Sequence, residues 1–457
     1  MLQIGTRMPP SAHSIRHNQH EWKNWSGNQR SSPNCFATPG TEEELADVVA
    51  RARPVVRVVG AGHSFSAIVP TNDTLISLDR LAGVISVDPL RRQATCWAGT
   101  SIREVGQPLH EQGLALINQG DVDSQTLAGA YQTGTHGTGL RFSCLATSIK
   151  GFRLITSNGT ILDCDQQHHP ELFQAARVSL GTLGVISRLT LQCCDAYQLQ
   201  ENVFAMDYDE CLARADELAE KHRHFEFFHL PFAEKVIVKT LDETTDPPGG
   251  AISGDKLEDA LFRLACHLTN TMPWLTPGLH HLTMATYRPR TRSNRSYLVF
   301  PSARGIRFNE MEYEVPAEAG VACFREIVNQ IRRSRFKIFF PLEFRRVAED
   351  DIWLSPFYKR PSVSISVHQD YRQPYKEAFA NLEPIFWKYE GRPHWGKLHT
   401  LNANQFRERY PRWDDFITLR QEMDPDQKFL NQFLQKVMAP QNQQQPLQLN
   451  SPETRGL

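Results

Sequence analysis

Glycines interleaved with hydroxyls recur three times in the first half of this sequence, twice with a histidine, a mixture suited to holding phosphate. Val58-Val59-Gly60-Ala61-Gly62-His63-Ser64 closes a β-branched run. A strand that delivers a Gly-x-Gly loop can turn backbone N–H groups toward a phosphate, because glycine tolerates positive φ and close approach. The dinucleotide fingerprint is absent: no third glycine follows, and Pro70 stands where a helix should continue. Taken alone, the loop reads equally well as an ordinary turn. Thr133-Gly134-Thr135-His136-Gly137-Thr138-Gly139 offers N–H and hydroxyl donors without bulk, and Ser179-Leu180-Gly181-Thr182-Leu183-Gly184-Val185-Ile186 permits a tight reversal before a buried strand. Together the three loops point to a large, extended, pyrophosphate-containing cofactor.

A second set of chemically capable residues lies far along the chain. In Leu342-Glu343-Phe344-Arg345-Arg346, period-2 alternation places Glu343 and Arg345 on one face of a strand. In Val363-Ser364-Ile365-Ser366-Val367-His368, the hydroxyls and His368 share one face and the apolar residues the other. Periodicity leaves two readings open for such a face, a solvated exterior or a pocket wall. His222, His224 and His229 have a metal-like composition, but HFEFFHLPF reads as a strand, and no metal site is expected.

These residues need elements to position them. Thr41 and Ser101, each with a Glu three residues on, predict capping-box helix starts. Strands are expected at 55–59, 74–78, 93–98, 149–156 and 185–191, with a helix at 170–177. The Gly-, Ser- and Thr-rich stretch 119–139 is too long for a simple connection. From about Ala196 the character changes. Residues 207–222 read as a helix, 225–240 as a strand, and 255–285 as an amphipathic helical stretch broken at Pro273 and Pro277. Strands follow at 304–315, 337–347 and 362–368, with a helix at 317–332.

Composition narrows the class. The 457 residues are 40% hydrophobic, with 50 Lys+Arg against 51 Asp+Glu and a net charge of -1. That is core enough for two or three domains, without the basic excess of a nucleic-acid protein. Nine cysteines without a CxxC pair predict buried thiols in a reducing compartment. No apolar run suits a secretory signal or an integral membrane segment, so a cytoplasmic protein is expected, with 255–285 the one stretch that could rest on a membrane surface.

The three loops, with Trp22-Lys23-Asn24-Trp25-Ser26-Gly27-Asn28 near the start and His394-Trp395-Gly396-Lys397 near the end, resemble the vanillyl-alcohol-oxidase flavoprotein superfamily, specifically its aldonolactone and alditol oxidase branch, over about residues 20–435. The resemblance implies an α+β fold: a two-subdomain FAD-binding domain of the PCMH type over residues 1–195, then an antiparallel-sheet substrate or cap domain over 196–390. A segment at 391–437 would return to the flavin, and 438–457 would be a disordered tail. It implies FAD, with His63 matching the histidine joined covalently to the flavin in many members. Val58, Val59, Gly60, Ala61, Gly62 and Ser64 would hold the pyrophosphate, and Thr126, Gly129, Thr133, Gly134, Thr135, His136 and Ile186 would contact the rest of the cofactor.

Glu343, Arg345, His368 and Lys397 match positions that line a polyol pocket and carry the chemistry, His368 being a candidate proton acceptor. Asp121 falls where a Ser contacts substrate in the alditol branch. An imidazole at 368, where alditol-oxidising relatives carry a smaller hydroxyl residue, favours a ring-shaped substrate. Gly120 matches a position where a small residue leaves room for dioxygen. The implied activity is oxidation of a D-arabinono- or L-gulono-type 1,4-lactone, with oxygen reduced to hydrogen peroxide. The alternatives are an alditol oxidase and a lactone dehydrogenase using a quinone or cytochrome.

Overall fold

The computed structural model describes residues 15–16, 21–250, 256–302 and 305–439. The mixed α+β character expected from the sequence is what the chain adopts. Its first part contains two larger sheets and a two-stranded one of Trp22–Lys23 and Arg30–Ser31. A four-stranded sheet runs in the order Ile15–Arg16, Cys35–Ala37, Thr74–Ser77 and Val56–Val59, and its last two pairings are parallel. An antiparallel sheet is centred on the long Val185–Asp195 strand, flanked by Ile149–Ile155 and Gln93–Trp97. Val56–Val59 is therefore an edge strand, and it delivers Gly60 to Ser64 into the space between the two sheets.

The capping signals hold unequally. Ser101 and Glu104 form the reciprocal box that opens the Ile102–Glu111 helix. Thr41 accepts from the Glu44 amide, but the Glu44 carboxylate takes the Gly40 N–H instead, so this second box is only half made.

The second part is dominated by one nine-stranded antiparallel sheet. Its order is Gly249–Gly250, Arg290–Arg295, Gln198–Asp207, Lys235–Thr244, His224–His229, Leu342–Val347, Ser362–Asp370, Phe308–Pro316 and Arg392–Pro393. The expected 225–240 strand is a hairpin of two, and the expected 207–222 helix breaks into Tyr208–Ala213 and Ala215–Lys221. Pro277 interrupts nothing: it sits in the first turn of the Thr276–Thr286 helix, where a missing N–H is harmless. Met438, assigned to the tail by sequence, ends the Gln432–Met438 helix and is buried; the tail from Pro440 lies outside the described residues.

One face of the large sheet is apolar and covered. Phe227, Phe344 and Phe324 meet in edge-on and stacked ring contacts, and Tyr313 stacks on Phe386 at 4.8 Å, so the Gly320–Arg333 and Tyr375–Lys388 helices close that side. Each fully buried aromatic of this kind contributes roughly 2–3 kcal/mol. The opposite face, polar by alternation, is turned toward the first part of the chain.

Arg57 joins the two ends of the chain at this junction. Its buried guanidinium donates to the carbonyls of Ile68, Leu180 and Phe429 at 2.6–2.7 Å. Burial lowers its pKa to about 10, still charged near neutrality. Arg57→Met would leave those carbonyls without a donor. It is expected to lower stability by about 2–4 kcal/mol in urea unfolding; a loss below about 1 kcal/mol would mean water replaces the guanidinium.

Candidate active site

The three glycine loops meet. One cleft is lined by Val58 to Ser64, Thr126, Gly129, Thr133, Gly181 and Ile186 among others. Gly62 has φ +68, which turns the loop back on itself. A Cβ on Gly60 would collide with Thr126 Oγ1, so only glycine lets the first loop approach the start of the Leu127–Gln132 helix this closely. A narrow, glycine-walled cleft at the end of a strand suits the diphosphate of a dinucleotide.

A second, smaller cavity adjoins the first. His63 and Gln125 line both. His63 Nε2 lies 2.9 Å from Ser124 Oγ, and its ring stacks on Trp25 at 5.3 Å. The rest of the wall comes from Phe65, Phe308, Gly120, Asp121, Thr135 and His136, and from the polar face of the large sheet.

That face is a row of charges set by strand register. Arg292 pairs opposite Glu201, Glu226 opposite both Lys239 and Arg345, and Glu310 opposite His368. Each register pair places side chains within reach of one another on the same face. Arg345 Nε donates to Glu226 at 2.6 Å, and its Nη2 donates to Asp121 at 2.6 Å and Glu343 at 2.7 Å. Lys239 Nζ stands 2.9 Å from Glu226 and 3.2 Å from Asp121. Lys397 Nζ bridges Glu310 at 2.5 Å and Glu312 at 3.1 Å. His136 Nε2 is 2.7 Å from Glu312.

Lys397 arrives on a segment laid along the Phe308–Pro316 strand. His394 and Leu398 donate their N–H groups to the carbonyls of Glu312 and Glu310, while the Gly396 carbonyl accepts from Phe65. One short segment thus fixes the cation, the glutamate strand and the glycine loop together.

Titration follows from these pairings. Burial alone would raise the Glu310 and Glu312 carboxyls; Lys397 overrides it, holding Glu310 down at about 2 and Glu312 well below the usual range. Glu314, deeper on the same strand, has burial and the neighbouring Glu312 acting in one direction, and its pKa is pushed far up. Burial lowers His394 to about 3.

The comparisons with known proteins agree with this geometry. Residues 33–165 match the family model described as FAD binding domain, and residues 189–437, more than half of the chain, match D-arabinono-1,4-lactone oxidase. The chain belongs to the D-arabinono-1,4-lactone oxidase family. It is 39% identical to an L-gulono-1,4-lactone dehydrogenase of Mycobacterium tuberculosis over 92% of this chain and 99% of that one. It is 32% identical to the L-gulonolactone oxidase of Bos taurus, covering 91% and 98%. A solvent-stable cholesterol oxidase shares the fold, with a TM-score of 0.79 at 16% identity over 92% of this chain and 98% of that one. This aldonolactone oxidase family member is thus an FAD-dependent oxidoreductase with a PCMH-type flavin domain and an antiparallel-sheet substrate domain.

Of the residues singled out by sequence, Val58, Val59, Gly60, Ala61, Gly62, Ser64, Thr126, Gly129, Thr133 and Ile186 line the larger cleft. Asp121, Thr135, His136, Glu343, Arg345 and Lys397 line the smaller one. Gly134 lines neither and packs by Pro356. His368 is also off the cavity wall: its Nε2 lies 3.4 Å behind Glu310, and Nδ1 donates to the Pro341 carbonyl. His224 and His229 do not converge, because strand alternation sends them to opposite faces, one stacked on Phe142 and the other on Tyr208. Sequence reasoning missed Glu310, Glu312, Trp25, Phe65 and Phe308. The alternation in Phe308-Asn309-Glu310-Met311-Glu312-Tyr313-Glu314 carried the signal for the first two.

Glu310 ionises more readily in the folded protein than unfolded, so its stabilisation is complete above about pH 4.5 and lost as pH falls toward 2. Glu310→Gln is expected to be less stable than wild type near pH 6, with the gap closing over that window in urea unfolding. A gap independent of pH would show that the ion pair contributes nothing.

Proposed function

We propose that this protein removes hydride from the hydroxyl-bearing carbon beside the carbonyl of a sugar 1,4-lactone of the D-arabinono or L-gulono type, and that dioxygen is reduced to hydrogen peroxide. Bound FAD, joined through His63 in this reading, supplies the hydride acceptor. The observation that carries the proposal is the smaller cavity, which begins at the same His63 that ends the cofactor cleft and alternates charged donors with carboxylate acceptors.

Each residue then has a task. Glu343 and Asp121 accept hydrogen bonds from ring hydroxyls, and Trp25, Phe65 and Phe308 offer an apolar wall to the C–H face of the ring. Arg345 and Lys397 are held in place by their carboxylate partners and offset the negative charge that develops on the substrate oxygen. Since His368 stands behind Glu310, it can act on the substrate hydroxyl only through that carboxylate, which Lys397 keeps ionised and able to accept a hydrogen bond from the hydroxyl.

Gly120 lines the cavity wall at the position that the family resemblance gives to a small residue beside the oxygen site, which supports oxygen as the acceptor, although a Cβ there would stand 3.1 Å from the His136 carbonyl oxygen. The dehydrogenase name of the 39% identical relative supports the alternative, a dye- or quinone-type acceptor. All nine cysteines are free, which fits a cytoplasmic setting, and among the described residues no helix is long and apolar enough to cross a membrane.

Aerobic turnover of L-gulono-1,4-lactone or D-arabinono-1,4-lactone with peroxide release is the expected result. Turnover with dyes alone would favour the dehydrogenase, and turnover of xylitol but no lactone would replace the substrate assignment. Acid precipitation should leave yellow colour in the wild-type pellet and release it from His63→Ala. Lys397→Met is expected to keep its flavin spectrum while kcat falls about 10²–10³-fold; an unchanged kcat would remove Lys397 from the chemistry.

A further inference from the structure

We infer that the substrate cavity discriminates by charge: it admits neutral and cationic polyhydroxylated rings and turns away anions, so the closed lactone binds while its hydrolysed aldonate does not. The inference rests on reading this cavity as the substrate site, and it extends to a ligand class, protonated five-membered iminosugars, as tight inhibitors.

The cavity wall carries four carboxylates, Asp121, Glu310, Glu312 and Glu343, against two cations, Arg345 and Lys397; no other Lys or Arg lines it among the described residues. Both cations are already engaged, Arg345 by Glu226, Asp121 and Glu343, and Lys397 by Glu310 and Glu312. The rest of the row does not redress the balance, because Glu201 and Glu226 are matched there by Arg292 and Lys239. His394 adds no charge near neutrality, since burial holds its pKa at about 3.

A carboxylate entering this space must therefore displace a wall carboxylate from its cation and leave a buried anion unpaired, a strongly unfavourable exchange. A neutral ring keeps every pair intact and presents hydroxyl donors to acceptor-only carboxylates. A ring ammonium gains further, because it meets the excess negative charge beside the apolar wall of Trp25, Phe65 and Phe308.

The test uses the FAD-loaded, full-length enzyme under anaerobic conditions near neutral pH, reading ligand binding from the change in the flavin visible spectrum. The probes are a 1,4-dideoxy-1,4-iminopolyol hydrochloride, its neutral 1,4-anhydropolyol counterpart and sodium L-gulonate. The iminosugar should bind at least about tenfold tighter than the anhydropolyol, and gulonate at least about tenfold weaker. Asp121→Asn, or Glu310→Gln if the first loses its flavin, should narrow both gaps. Gulonate binding as well as the neutral ring, or an iminosugar no tighter than its neutral counterpart, would overturn the inference. Lactone turnover in a separate assay distinguishes the failures. Turnover without charge ordering sinks the inference alone, and charge ordering without lactone turnover sinks the substrate reading.

Discussion

A charged group taken out of water must find its partner, and the large sheet of this protein places a whole row of them out of water. Seven acidic and basic side chains, Glu201, Arg292, Lys239, Glu226, Arg345, Glu310 and Glu312, are each less than a tenth exposed on one face of adjacent strands. Each would cost several kcal/mol if left alone. Antiparallel register resolves this for five of them by setting opposite charges across from one another, and Glu310 and Glu312 are met by Lys397. A slip of one residue in any of these strands would send the charges into the apolar layer of Phe344, Ile365 and Tyr313. The pairing thus fixes the register, and the register fixes the cavity wall.

Two connections from outside the sheet complete the row. Asp121 comes from the first part of the chain and bonds to Arg345, 224 residues away. Lys397 comes from a late segment that runs beside the glutamate strand and also holds the glycine loop through the Gly396 carbonyl. Cofactor cleft and substrate cavity are therefore not independently placed. The electrostatic demand of the sheet draws both flanking segments onto it, and His63 lies where the two spaces join. The same arrangement that stabilises the buried charges gives the proposed reaction its fixed donors, so little reorganisation is needed when charge develops.

The glycine loops were legible because their requirement is local. Gly62 needs positive φ and Gly60 needs the absence of a side chain, and both can be read from residue type and a preceding β-branched run. The alternation of Glu343 with Arg345 was equally legible as a face. Whether that face met water or a partner was not, since a solvated sheet and a buried one share the same period. Glu310, Glu312 and Glu314 show this best: the pattern is plain in the sequence, yet only their burial and the approach of Lys397 give them meaning. His368 shows the converse. Its face was read rightly from alternation, but depth along the strand places it behind Glu310 and off the cavity wall.

By itself, the sequence determined the local matters: which segments become strands, which loops can approach a phosphate, which side chains share a face, and the family to which the whole pattern belongs. Tertiary structure alone decided the pairings of Asp121 and Lys397 with strands far from them, the separation of His224 from His229 to opposite faces, and the unequal titration of three glutamates on one strand. Backbone conformation and side-chain period are properties of neighbours in sequence, whereas charge compensation in a low-dielectric interior depends on neighbours in space.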